Sequence, residues 1–286
     1  MNRPMEKLVI SLSQHRRIAV LTGAGISARS GIPTYRDASG RWLRTQPIQH
    51  SEFIHSALRR QRYWGRSMVG WPGVRDAKPN DVHLALTRLE ACGVLELIIT
   101  QNVDRLHQRA GSQNVIDLHG RLDRVLCLDC GAGYPREEIQ HKLERSNPHY
   151  GAFSADIQPD GDADLSDEQV ATIKVIDCEA CGGLLMPDVV FFGGSIPRPR
   201  VEACQKALDN ADALLVIGSS LQVYSGYRFC KQARQNGLPL YIVNQGLTRA
   251  DELATLKISD SALDHFINAV DHLCANHQQE TACQTP

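Results

Sequence analysis

The sequence predicts an α/β protein, a doubly wound parallel sheet with a smaller lobe set into it. Three observations lead there. Apolar, β-branched-rich runs at 18–22, 95–100, 213–217 and 240–243 lack polar alternation, as strands buried on both faces do. Segments with helical spacing separate them, which is the strand–helix–strand rhythm of a parallel sheet. Each run ends in small or polar residues, at Gly23, Gln101, Gly218 and Asn244, where open sheets of this kind bind ligands. The layout is Rossmann-like, and a basic insertion and two cysteine knuckles interrupt it.

The bulk numbers agree with this class. The 286 residues suffice for one large and one small domain. A hydrophobic content of 42% and a formal charge of -1 describe an ordinary globular chain. Without a basic excess, nucleic acid is not expected as a partner. No apolar run reaches membrane-spanning length, so no membrane is expected either. Residues 1–17 lack the apolar core and cleavage site of a secretory leader, and a strand starting at Ile18 leaves little for a transit peptide. The cysteines comprise two C-x-x-C pairs plus Cys92, Cys204, Cys230, Cys274 and Cys283. An odd total with no leader argues against a disulfide framework and for a reducing compartment.

The first strand runs into Gly23-Ala24-Gly25-Ile26-Ser27-Ala28, which has the G-x-G-x-x-G/A spacing. Small residues there let backbone N–H groups and a helix N-terminus approach a pyrophosphate; a plain strand-to-helix turn carries the same signature. No strand ending in Asp or Glu follows about 20 residues on. A dinucleotide ribose is therefore not held in the dehydrogenase manner, and Tyr35-Arg36-Asp37 and Trp42 follow instead. Residues 38–79, rich in Arg and aromatics, read as a helical insertion behind a mobile loop, a solvated basic helix face being the plainer account of 59–66.

Residues 80–92 form a helix with an Asn or Asp cap, stopped by Gly93. The strand at 95–100 ends in Gln101-Asn102-Val103-Asp104, more polar capacity than a cap needs. A third strand, 115–120, ends in His119-Gly120, the glycine leaving the imidazole face open. A lone His is usually structural, but this one ends a strand as the other polar clusters do. Residues 187–194 read as a strand followed by glycines, and 201–210 as an amphipathic helix. The strand at 213–217 ends in Gly218-Ser219-Ser220, a turn suited to phosphate or ribose. A helix at 226–236, closed by Gly237, precedes the last clear core strand, 240–244. An amphipathic helix is expected within 256–275 and a frayed tail beyond it.

Cys127-Leu128-Asp129-Cys130 and Cys178-Glu179-Ala180-Cys181 match a tetrahedral four-thiolate zinc site. Such a site leaves no position open for water, so its role is structural. Two pairs, neither opening a helix in a βαβ setting, disfavour thioredoxin-like redox chemistry. Residues 150–169, acidic and turn-rich, read as a surface loop between the knuckles. The domain division is a discontinuous large domain of 1–37, 80–120 and 187–275. Set into it are the insertion 38–79 and the zinc-binding 121–186, with 276–286 as tail. The ligand cleft lies between the lobes.

These runs resemble the sirtuins, the NAD-dependent protein deacylases. The matching motifs are Gly-Ala-Gly-Ile-Ser at 23–27, Gly-Ile-Pro-x-Tyr-Arg at 31–36, Gln-Asn-Val-Asp at 101–104, His-Gly at 119–120, both cysteine pairs, Phe-Phe-Gly at 191–193 and Gly-Ser-Ser at 218–220. They fall in the family's order across about residues 15 to 270. Runs at 47–50, 60–64, 123–130 and 219–229 are similar to the class II branch, which includes the fourth, mitochondrial human sirtuin and bacterial relatives.

The resemblance implies that NAD lies in the cleft and that one structural zinc ion sits in the knuckles. The acyl-lysine carbonyl oxygen attacks C1′ of the nicotinamide ribose, nicotinamide leaves, and His119 acts as general base on the ribose hydroxyls. The products are free lysine, nicotinamide and O-acyl-ADP-ribose. By the same resemblance Asp104 holds the nicotinamide carboxamide, Asn102 and Gln101 the ribose and an ordered water, with Ser27 in support. Arg36 faces the phosphates and Tyr35, where many members have Phe, covers the reacting centre. Gly23, Ala24, Gly25, Gly218, Ser219 and Ser220 line the phosphates. Asn244 meets the adenosine ribose, followed by Gln245-Gly246 where many members carry an acid, and Ala262 falls near the adenine. The peptide adds as a strand between 189–193 and 222–224, with Val189, Phe191, Gly193 and Val223 as contacts.

Tyr63 and Arg66 stand at i and i+3 and resemble the Tyr-x-x-Arg pair with which desuccinylating sirtuins hold an acyl carboxylate. The expectation is a preference for acidic or longer acyl groups, glutaryl-type or lipoyl, over acetyl; a local ion pair at Arg66 is the alternative. ADP-ribosyl transfer to protein, and a non-catalytic reader of NAD or ADP-ribose, are the rival functions. Acyl-lysine proteins are the expected substrates and a monomer fits the sequence. The expected compartment is a bacterial cytoplasm, or a mitochondrial matrix in a eukaryote.

Overall fold

The amphipathic helix α1 (Arg3–Ser13) leads into β1 (Ile18–Thr22), every residue of which is buried. This computed structural model describes residues 3–37, 39, 41, 47–152 and 155–283. The insertion supplies α2 (His50–His55) and α3 (Ala57–Asp76). Next come α4 (Asp81–Ala91), capped by the Asn80 side chain accepting from the Val82 N–H, then β2 (Leu95–Thr100), α5 (Leu106–Ala110) and β3 (Val115–Asp117). The small lobe holds β4 (Gly120–Cys127), β5 (Gly133–Pro135), α6 (Arg136–Ser146), α7 (Asp167–Val170) and β6 (Leu185–Val189). The chain returns through α8 (Arg198–Asn210), β7 (Ala213–Ile217), α9 (Tyr224–Gln235), β8 (Leu240–Val243), β9 (Leu256–Ile258) and α10 (Ala262–Cys283).

The large sheet has the order β3-β2-β1-β7-β8-β9, and every pair is parallel. Side chains alternate between two cores. Ile18 and Val20 pack with Leu8, Leu86 and Phe266 on one face, and Ala19 and Leu21 with Leu208 and Phe229 on the other. Burial on both faces is why these strands read as unbroken apolar runs. The small lobe is built on an antiparallel sheet, β5-β4-β6, with its own core around Trp64, Ile139 and Leu143.

Three expectations change here. The strand at 187–194 belongs not to the large sheet but to the small one, where β6 pairs antiparallel with β4. An apolar run fits either sheet, and the pairing is decided by β4 carrying the chain out of the large sheet at Gly120. Residues 256–258 are a strand, not helix; they add an edge to β8, being too few to carry a periodicity. The helix after them starts at Ala262 and continues through Cys283, beyond the fraying expected at 276, while 284–286 lie outside the described residues. Among the cysteines, Cys92 and Cys274 are bridged across the end of α4 and α10, with Cα atoms 5.8 Å apart. The loop expected after Asp37, with Trp42, falls largely on 38, 40 and 42–46, outside the described residues. No helix among the described residues is long and apolar enough to cross a membrane.

The helix α3 lies against residues 157–163 at unusually short range. A Cβ at Gly70 would overlap the Gly161 carbonyl oxygen, and one at Gly73 would overlap the Ile157 side chain. The close approach brings the 157–163 segment to the cleft.

Candidate active site

From β1 the chain steps to β2 and β3 on one side and returns to β7, β8 and β9 on the other, so β1 and β7 flank the topological switch point. Their C-terminal turns meet backbone to backbone. The Gly25 N–H donates to the Gly218 carbonyl at 2.8 Å, and the Gly23 N–H to the Ile217 carbonyl at 3.2 Å. A Cβ on Gly25 would stand 2.8 Å from the Gly218 oxygen, and one on Gly218 (φ 61°) 2.6 Å from the Ile26 nitrogen. Glycine is therefore required on both sides of the contact. Over this floor opens a cavity of about 920 Å³ reaching into the small lobe, the upper range for small-molecule sites.

The cavity wall gathers most of the sequence's candidates. Gly23, Ala24, Gly25, Ser27, Tyr35, Arg36, Gln101, Asn102, Asp104, His119, Gly218, Ser219, Ser220, Asn244, Gln245 and Ala262 line it, as do Tyr63, Val189, Phe191, Gly193 and Val223. Gly246 turns the chain with φ 85° and does not line it. Arg66 does not line it either.

A polar network fixes the floor. Ser27 Oγ donates to Asp104 Oδ2 at 2.6 Å and accepts from Asn102 Nδ2 at 3.0 Å; Asn102 Nδ2 also reaches the Gly23 carbonyl at 3.2 Å. The Leu106 N–H caps Asp104 Oδ1 at 2.9 Å. Burial raises the Asp104 carboxyl above its usual range, against the pull of Ser27 and Leu106. Gln101 Nε2 donates to Ser219 Oγ at 2.8 Å, tying the end of β2 to the turn after β7.

His119 follows β3 in a turn rather than on the strand itself. Its Nδ1 lies 3.0 Å from the Gln101 carbonyl, which only accepts, so Nδ1 carries the proton. Nε2 is then an acceptor, 2.7 Å from Ser225 Oγ. Burial lowers the imidazole to about 4, with Arg200 and Arg228 adding to the effect and the Gln101 carbonyl opposing it. A neutral imidazole whose Nε2 accepts from a hydroxyl can act as a general base once a substrate hydroxyl takes the place of Ser225 Oγ. Gly120 has a different reason from the one expected. Its φ is 87°, and a Cβ there would overlap the Asp188 carbonyl where β4 meets β6.

Ser225, in the first turn of α9, and Arg228, one turn on, were not singled out from sequence. Both sit inside the run at 219–229 that carried the class II likeness. Only the fold, by placing α9 over the cleft, brings them to His119.

The lobe end of the cavity is apolar, with Tyr63, Phe191, Ile48, Val74 and Leu122 on the wall. The Tyr63 ring stands edge-on to Phe191, with centroids 5.3 Å apart. Arg66 instead faces the acids of the neighbouring loop and α7, bridged to Asp167 at 3.6 Å and in the fields of Asp162 and Asp164. The structure thus brings Tyr63 to the cavity and leaves Arg66 outside it, turned to Asp167 of α7. Asp160 lines the cavity beside Tyr35 and Tyr63, and burial raises its carboxyl.

The two cysteine knuckles share one backbone pattern. The Cys127 N–H donates to Ala132 and the Gly131 N–H to Cys127, as Cys178 N–H does to Gly183 and Gly182 N–H to Cys178. All four sulfurs lie within 4.8 Å of one another, with Cys127–Cys181 at 3.5 Å and Cys130–Cys178 at 3.7 Å. A tetrahedron of thiolates about 2.3 Å from zinc has edges of about 3.8 Å, so the tetrad fits one structural zinc ion.

Comparison with known proteins agrees with this geometry. A profile of the Sir2 family matches residues 23–225. An "NAD-dependent protein deacetylase" of Xanthomonas axonopodis pv. citri is 54% identical over 264 residues, covering 92% of this chain and 90% of that one. The "NAD-dependent protein lipoamidase sirtuin-4, mitochondrial" of Bos taurus is 49% identical, over 90% of this chain and 82% of that one. A solved structure described as "Structural Basis for the Mechanism and Regulation of Sir2 Enzymes" superposes with a TM-score of 0.77 at 30% identity, covering 96% and 100% of the two chains. Another, "Structure of Sir2Tm bound to a propionylated peptide", gives 0.74 at 31%, covering 95% and 98%.

Proposed function

The chain belongs to the Sir2 family and is an NAD-dependent protein deacylase, and from that premise we propose that its cavity favours longer, uncharged acyl groups on lysine over acetyl. When bound, NAD supplies the ADP-ribose that accepts the acyl group, with nicotinamide as leaving group. His119 would take a proton from a ribose hydroxyl through Nε2, which Ser225 Oγ holds until that hydroxyl replaces it, while the Nδ1–H bond to the Gln101 carbonyl orients the imidazole. Asn102 and Gln101 would face the ribose, and Asp104, anchored by Ser27 and Leu106, would meet the nicotinamide amide. Arg36 serves the phosphates, and the glycine floor admits them closely. The acyl-lysine peptide lies between 189–193 and 222–224 as an added strand, held by its backbone.

The observation that carries the acyl preference is the wall at the lobe end. Tyr63, Phe191, Ile48, Val74 and Leu122 give that end an apolar wall on which a longer acyl chain would pack. The acidic half of the expectation loses its cation, because Arg66 is bridged to Asp167. Asp160 on the wall opposes an acyl carboxylate. The lipoamidase named among the relatives supports the same reading. Bacterial relatives support the cytoplasm as the compartment.

The test is a mass-spectrometric panel with NAD and one peptide carrying acetyl, succinyl, glutaryl, lipoyl or long-chain acyl lysine. Lipoyl or long-chain removal is expected to exceed acetyl removal. Asp160→Asn should raise the glutaryl-to-acetyl rate ratio severalfold, about 1 kcal/mol of discrimination, and Arg66→Ala should leave it unchanged. Acetyl removed fastest, or a glutaryl rate that collapses with Arg66→Ala, would sink the acyl reading. ADP-ribosylated protein without O-acyl-ADP-ribose would redirect it to ADP-ribosyl transfer.

A further inference from the structure

Behind the cavity floor lie two histidines that the reaction does not touch. His83 on α4 and His107 on α5 are 0% and 1% exposed, their ring centroids 5.1 Å apart and tilted by 65°. Each keeps one ring nitrogen buried without a partner, Nε2 of His83 and Nδ1 of His107. Tracing donors and acceptors from either end assigns both tautomers. The Asn80 N–H donates to His83 Nδ1 at 3.3 Å, so His83 carries its proton on Nε2. Thr22 Oγ1 donates to Thr100 Oγ1 at 2.9 Å, so its proton is committed and it can only accept from His107 Nε2, 2.9 Å away. His107 therefore has its proton on Nε2 and a lone pair on Nδ1. The two leftover nitrogens are a donor and an acceptor.

We propose that His107, its ring held edge-on by His83, starts a relay through Thr22 to Thr100 that makes it a positioning residue for Asn102. Thr100 Oγ1 accepts from the Asn102 backbone N–H at 3.1 Å, so the relay ends on the residue whose side chain braces Ser27 and Gly23. On the far side of the pair, Asn80, whose N–H holds His83, donates from Nδ2 to the Ile26 carbonyl and to Ser30 Oγ, both at 2.8 Å. Hydrogen bonds on either side of the ring contact thus tie the glycine turn after β1 and the Gln-Asn-Val-Asp run after β2 to the same histidine pair. Without it, a cavity-floor Asn would rely on its own two contacts. The inference rests on reading Asn102 as a ribose-side residue.

Steady-state kinetics on the zinc-loaded, full-length protein test it, with NAD and an acyl-lysine peptide. Thr22→Val removes the hydroxyl at constant shape, and His107→Leu removes the ring. Both are expected to lower kcat about tenfold, the cost of one buried hydrogen bond left unmade, with peptide KM within about twofold. His107→Gln, whose amide N–H can still reach Thr22, should recover most of the loss. If His107→Leu does not fold, Thr22→Val alone decides. A fall in Tm with wild-type kcat in these variants would overturn the proposal in favour of a purely structural pair. Asn102→Ala runs in parallel. If it turns over normally, the reading of Asn102 fails and the inference with it; if it is slow while Thr22→Val is normal, the relay alone fails.

Discussion

At the sheet end of the cavity, the turns at Gly25 and Gly218 touch through backbone atoms at 2.8 Å. At the lobe end, Tyr63, Phe191 and Asp160 come from three separated segments and line the cavity with side chains. The first end admits no side chain without moving a strand, so its shape is set by the sheet. The second is a surface of exchangeable groups on a separately held lobe. The difference assigns chemistry to the rigid end and selection among acyl groups to the variable one.

Zinc removal should separate the two ends most strongly. A structural four-thiolate site contributes on the order of 10 kcal/mol to the fold that binds it. Chelation is expected to raise hydrogen exchange across 121–186 while β1 and β7 keep their protection; loss of protection in both together would mean one cooperative unit. Next in size is His119→Ala, which should reduce deacylation about a thousandfold with NAD binding retained by calorimetry. Turnover within about tenfold of wild type would remove His119 as the base.

A third effect is on stability against pH, and it lies at the sheet end. Burial lowers His83 and His119 from 6.5 to about 4, and His107 further. Between those values the unfolded chain takes up protons that the fold refuses, so stability falls as pH drops from 6.5 toward 4. Each of the first two contributes a loss of about 3 kcal/mol at the lower limit, while the raised Asp104 carboxyl works in the opposite sense. A urea midpoint that stays flat or rises over this interval would contradict the buried, neutral histidines.

The sheet end was largely readable because each piece is a local run at a strand's end. Gly23-Ala24-Gly25, Gln101-Asn102-Val103-Asp104 and Gly218-Ser219-Ser220 announce themselves by composition, and parallel packing then brings them together. The knuckles were readable for the same reason. The lobe end was not. The partner of β6 depends on where β4 leaves the sheet, and Arg66 looked like an anion site until α7 placed Asp167 beside it. Ser225 reaches His119 only because α9 lies over the cleft. These are facts of tertiary packing, and neither periodicity nor spacing encodes them.

The glycines of α3 bear on how such a pocket can be inherited. Each glycine weakens an isolated helix by about 1 kcal/mol relative to alanine, and α3 carries Gly65, Gly70 and Gly73 with Pro72 inside. Gly70 and Gly73 are where the 157–163 segment beds down. A lineage that replaced Gly70 with alanine would gain a stronger helix and displace the backbone of the segment bearing Asp160. Transplanting 157–163 alone into a relative with a bulkier helix would leave it nowhere to sit. Helix and segment therefore have to change hands together, as one heritable cassette.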